Sequence, residues 1–140
     1  MRRIKNPNIE GEVLLGLYSE EVVKGSISLH LHNAFYLKFS ETRWLRFRIN
    51  CRGMHWKFVD SLEHARDGDL QAVPYEYFFE NFDLEGQQIC RMELHEVKED
   101  IWLYRRKFRS QVKLRIILSG EFAIVFDHEA DDLDFFIQRA

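Results

Sequence analysis

Apolar and polar side chains alternate with period two through most of the chain, which is the signature of half-buried β-strands. In 26–32 (SISLHLH), Ile27, Leu29 and Leu31 share one face, and Ser26, Ser28, His30 and His32 share the other. Residues 35–39 (FYLKF) and 43–50 (RWLRFRIN) continue the pattern, the second with Leu45, Phe47 and Ile49 inward and Arg46 and Arg48 outward. The same alternation groups Cys90, Met92 and Leu94, then Val112, Leu114, Ile116 and Leu118, then Phe122, Ile124 and Phe126. Ser119-Gly120 between the last two runs predicts a tight hairpin turn, with glycine free to take a positive φ. Residues 102–108 (WLYRRKF) are strand-like but less regular.

Helical signals are fewer. A short helix is expected around Val13–Tyr18, weakened by Gly11 and Gly16. A helical turn or two is expected after Asp60-Ser61, stopped by Gly68. Residues 74–82 (PYEYFFENF) fit either element, and 130–140 (ADDLDFFIQRA) fit a terminal helix or a last strand. The expected fold is α+β and mainly β. It is one antiparallel domain over 1–140, a sandwich or partly open barrel with one or two short helices.

Composition supports a filled core. Of 140 residues, 46% are hydrophobic, with 12 Phe, 5 Tyr and 3 Trp, while 7 Gly and 2 Pro argue against disorder. Cys51 and Cys90 are too few for a disulfide framework and sit in strand-like runs, where a free thiol acts as a small hydrophobe, although one bridge stays open. The opening MRRIKNPNIEGE lacks the apolar run of a signal peptide. No stretch approaches the ~18 apolar residues of a membrane span. The expectation is a soluble, cytoplasmic protein without a membrane contact.

Charge sharpens this picture. The net value of −3 is a cancellation of blocks. Residues 1–40 carry +1, 41–59 carry +4, 60–100 carry −9, 101–118 carry +6 and 119–140 carry −5. Adjacent strands of opposite sign would pair across a sheet, each pair worth ~0.2–1 kcal/mol. The alternative is that the blocks serve partners.

Each candidate chemistry has an ordinary counterpart. His30 and His32 at i, i+2 put two imidazoles on one strand face, as a metal- or small-ligand-binding β-barrel would require. The cupin pattern that this spacing resembles fails here, because Glu41 comes nine residues after His32. No cofactor is expected. Arg43, Arg46, Arg48 and Arg52 around Trp44, extended by Arg105, Arg106, Lys107, Arg109, Lys113 and Arg115, fit a single-stranded nucleic-acid module. The negative net charge and the lack of a recognised nucleic-acid motif weigh against that reading. Asp127, Glu129, Asp131, Asp132 and Asp134 form an acidic segment without the glycine of a calcium loop. It fits a surface for a basic partner, or a solvated turn. There is no G-x-S-x-G, phosphate loop or evident nucleophile, so no enzyme is expected.

The run CRMELHEVKEDIWL (90–103), the Ser-Gly hairpin and FAIVFDHEADDLDFF (122–136) resemble the C-terminal half of small immunity proteins of bacterial polymorphic-toxin and contact-inhibition systems. The resemblance covers about a third of the chain and rests on pattern. It implies a stoichiometric inhibitor that occludes the active site or substrate surface of a cognate protein toxin, often a nuclease with a basic groove. The residues expected to carry such binding are Asp127, Glu129, Asp131, Asp132 and Asp134, then Asp67, Asp69 and Glu76, with Tyr75 and Tyr77 as aromatic anchors. Monomer and homodimer are both open, since edge strands can pair between chains.

Overall fold

The computed structural model describes residues 6–24, 27–62, 70–103, 106–129 and 132–139. Within them it describes all side chains but those of 22–33, 70–71, 77–78, 98–103, 106–110 and 132. The first strands are β1 (Gly16–Lys24), β2 (Ile27–Ser40), β3 (Arg43–Asn50), β4 (Gly53–Val59) and β5 (Leu70–Pro74). The helix α1 (Glu76–Phe82) follows, and then β6 (Ile89–Leu103), β7 (Arg106–Leu118), β8 (Phe122–Glu129) and β9 (Asp132–Arg139). Every strand pairing is antiparallel. The strands form two sheets, ordered β4-β3-β2-β1-β5 and β6-β7-β8-β9.

The apolar half of the alternation places these sheets face to face. Phe35 and Phe47 of the first meet Phe126 of the second edge-on, at centroid separations of 4.8 and 5.1 Å. Phe126 in turn stacks on Phe135 at 4.7 Å. Leu37, Leu45 and Ile49 oppose Val112, Leu114, Ile116 and Ile124 in the same buried cluster. Each such side chain contributes about 1.5–3 kcal/mol on burial, and edge-to-face rings add roughly 0.5–1.5 kcal/mol. Of the two expected forms, this is the sandwich.

The segment before β1 closes one end of it. Gly11 donates to the Ile89 carbonyl and Leu14 to that of Gln87, each at 2.8 Å, while Leu15 donates to Lys38 across in the first sheet. Ile9 and Leu14 are fully buried there.

Several sequence expectations need correction. The helix expected around Val13–Tyr18 is absent: Val13 makes an isolated bridge to Gln88, and β1 begins at Gly16. The β1–β2 pairing shifts register between Ser19 and Glu21, so both Ser19 and Glu20 are buried and the alternation is hidden. Of the two elements open for 74–82, Pro74 ends β5 and Glu76–Phe82 form α1, ended by Asp83 in the left-handed conformation at φ 52°. Of the two forms open for 130–140, residues 132–139 take the strand. The turn expected after Asp60-Ser61 falls largely on 63–69, outside the described residues. Cys90 is exposed, because a register shift between Ile89 and Arg91 turns it away from Met92 and Leu94. Cys51 is half-buried in the β3–β4 turn, and both thiols are free. That turn, and not Ser119-Gly120, is where a hairpin glycine takes a positive φ, at Gly53 (114°).

Candidate functional site

The polar half of the alternation gives the sandwich two outer faces. On the second sheet the register decides which charges meet. Glu93 of β6 lies directly opposite Arg115 of β7, and the two form an ion pair at 3.3 Å. Arg91 reaches the same carboxylate at 3.3 Å and His95 lies 3.7 Å from it. Desolvation opposes its ionisation, but the Arg91 hydrogen bond and the charges of Arg91 and Arg115 outweigh it, so the Glu93 carboxyl is held below its usual range.

Two strands further on, the register does the opposite. Asp127 is directly opposite Asp134, and Glu129 is directly opposite Asp132. Like charges at such positions repel across about 5 Å and destabilise the sheet. Lys113 sits opposite Asp127 on the β7 side, yet among the described residues it is Gln111 that bonds Asp127, its Nε2 donating at 3.1 Å. Among the described residues no cation pairs with Glu129 or Asp134, and both are exposed. The acidic pair positions therefore stand as a ladder on the solvent side of β8–β9.

Phe136 belongs to this face and was not among the residues picked from sequence. It is 37% exposed, on the same side of β9 as Asp134, while Leu133, Phe135 and Ile137 pack inward. Alternation in DLDFFIQR was the available signal: it groups Phe136 with Asp132 and Asp134 and opposes them to Phe135. A half-exposed aromatic beside desolvatable charges is the composition of an interface anchor.

The other expected anchors lie elsewhere. Tyr75 is half-buried, with its ring edge-on to inward-facing Phe135 at 4.9 Å, so it extends the aromatic core. With exposed Glu76 it lines a separate cleft of about 330 Å³ between α1 and β1, together with Tyr18, Phe79 and Glu80. Asp127, Glu129 and Asp134 are thus brought together, with Asp132 joining them by register, while Tyr75 and Glu76 are not. Tyr77 lies in α1, but its side chain is outside those described; Asp67, Asp69 and Asp131 lie outside the described residues. His30 and His32 are placed in β2, again outside the described side chains. Among the described residues no group of three or more His, Cys, Asp and Glu is arranged to hold a metal ion.

The first sheet's outer face is different. Its centre holds a second apolar cluster of Tyr36, Trp44 and Val59. Trp44 is buried under Tyr18 and Lys38, so it cannot serve as the stacking platform that a nucleic-acid module needs. Glu20 is buried beside this cluster and paired with Arg46 at 3.2 Å. Burial of the Tyr36 hydroxyl and the nearby Glu20 carboxylate raise the Tyr36 pKa. That hydroxyl lies beside the Arg46 guanidinium but makes no hydrogen bond of good geometry.

No protein-family model matches the chain, and neither the curated proteins nor the solved structures hold a significant match. No described helix is long and apolar enough to cross a membrane.

Proposed function

We propose that this protein works by binding rather than by catalysis, as an immunity protein that captures a basic surface of a cognate protein toxin on the outer face of β8–β9. The observation that carries this reading is the register that sets Asp127 against Asp134 and Glu129 against Asp132. A surface selected only for folding would place opposite charges there, as β6–β7 does with Glu93 and Arg115. A cationic partner removes the repulsion on docking, so part of the fold's electrostatic strain becomes affinity. Negative potential on one face also speeds encounter with a basic groove. Phe136 supplies the apolar anchor, and cytoplasmic residence follows if the toxin acts inside the cell.

The test is to express the product of the adjoining reading frame in bacteria, with and without this chain. Restored growth and a one-to-one complex are expected. In Glu129→Gln/Asp134→Asn, affinity should fall at least tenfold at low salt and lose most of its salt dependence. No protection, or protection and affinity unchanged in that variant, contradicts the reading.

A further inference from the structure

On the outer face of the first sheet, the β3–β4 register sets Arg46 directly opposite Lys57 and Arg48 directly opposite His55. Opposed residues have Cβ atoms about 5 Å apart, and successive rungs on one face lie about 7 Å apart. Three permanent cations and one imidazole therefore fall within reach of a single small ligand. They line a cleft of about 390 Å³ at the β4 edge with Asn50, Arg52 and the core-packed Phe47 and Trp56, and no carboxylate lies among the lining residues. That volume is in the range of small-molecule sites.

The cations of the cleft are only partly committed. Arg46 engages Glu20 through Nη2, while its Nε–H is buried without a partner. Burial works against the Arg46 charge, but the Tyr36 and Glu20 oxygens raise its pKa, so it stays protonated. Arg48 and Lys57 form no ion pair with any described residue. Beyond the Arg46–Glu20 pair, the stacked cations add no ion pair to the fold among the described residues.

We infer that this cleft binds a compact phosphate-bearing ligand with two or more negative charges. Guanidinium forks match phosphate oxygens in pairs, and lysine adds a point charge. A single carboxylate would leave most of the local charge unneutralised. A nucleic-acid strand fits less well, since it needs a basic track and open aromatic faces. Next to the cleft, Arg43 is tied to Glu12 at 3.0 Å and Lys38 to Glu41 at 2.7 Å, and Trp44 is covered. The basic surface is thus interrupted after two rungs.

Calorimetric titration of the full chain with inorganic pyrophosphate, with Trp56 fluorescence as a second readout, tests this inference without any toxin. Saturable one-to-one binding is expected, weakened at least tenfold in Arg48→Gln/Lys57→Gln. Thermal melting should confirm that the variant folds, and pyrophosphate should raise the melting temperature of the parent alone. The charge-conserving Arg48→Lys/Lys57→Arg should bind more tightly than the Gln pair but less tightly than the parent, because it keeps the charge and displaces the fork, while Lys113→Gln on the other sheet should leave affinity unchanged. Absence of saturation, or equal affinity in Arg48→Gln/Lys57→Gln, overturns the inference. So does an oligothymidylate that binds more tightly than pyrophosphate and gains affinity with length.

Discussion

Two pairs of strands in one sheet treat charge in opposite ways. Along β6–β7 the register gathers Arg91, Arg115 and His95 around Glu93, and the surface neutralises itself. Along β8–β9 it sets acid against acid twice, with two of the exposed carboxylates left without an ion pair among the described residues. Both pairs of strands rest on the same inner face, so the difference does not arise from packing. It lies in what each outer face is left to do. The first is finished by folding, whereas the second is finished only when something cationic covers it.

The shared scaffold gives the largest expected effect. Phe126 meets Phe35, Phe47 and Phe135 at once. Phe126→Ala should cost about 3–5 kcal/mol in chemical denaturation, and it should weaken both pairs of strands together. A loss confined to one of them would show that they do not share a core.

The buried pair on the opposite sheet comes next. Arg46→Met leaves the Glu20 carboxylate, 3% exposed, without its cation. A loss of about 3 kcal/mol is expected by urea unfolding at neutral pH. A loss below about 0.5 kcal/mol would mean that water replaces the guanidinium.

Smaller effects separate the two pairs of strands. Glu93→Gln should lower the melting temperature and flatten the acid side of the stability profile. The sign follows from its depressed carboxyl pKa: the stabilisation is present above the unfolded value and lost as pH falls through the folded one. At the alkaline side, the raised Tyr36 pKa means that stability falls as pH rises past about 10 toward the folded value. Tyr36→Phe removes that decline. Because the hydroxyl makes no hydrogen bond of good geometry, the change should be neutral or stabilising by about 1 kcal/mol near pH 7. A clear destabilisation would reveal a bonded hydroxyl.

Much of this fold is legible in the sequence, because alternation states which side chains face inward. Phe35, Leu37, Leu45, Phe47, Ile49, Leu114, Ile116, Ile124 and Phe126 all occupy the interior that period two assigns them. It fails where the register slips. At Ser19–Glu21 and at Cys90 an irregular pairing moves one residue to the wrong side, and no local pattern announces it. The candidate site shows the same limit. Acidity in 127–134 is plain from composition, but whether those acids meet cations or one another depends on pairings made across the hairpin. Phe136 was legible in principle, through its alternation with Asp134. The basic cleft needed the β3–β4 register as well, since Lys57 is far from Arg46 in sequence and opposite it in space.

The most direct measurement is the unfolding free energy of Glu129→Gln/Asp134→Asn against the parent at low salt and at about 1 M salt, where the Debye length falls to ~3 Å. If the β8–β9 acids are held for a partner at the expense of the fold, the variant is more stable by about 0.5–1 kcal/mol at low salt, and the gap closes at high salt. A variant less stable than the parent at low salt would show that these acids serve the fold itself.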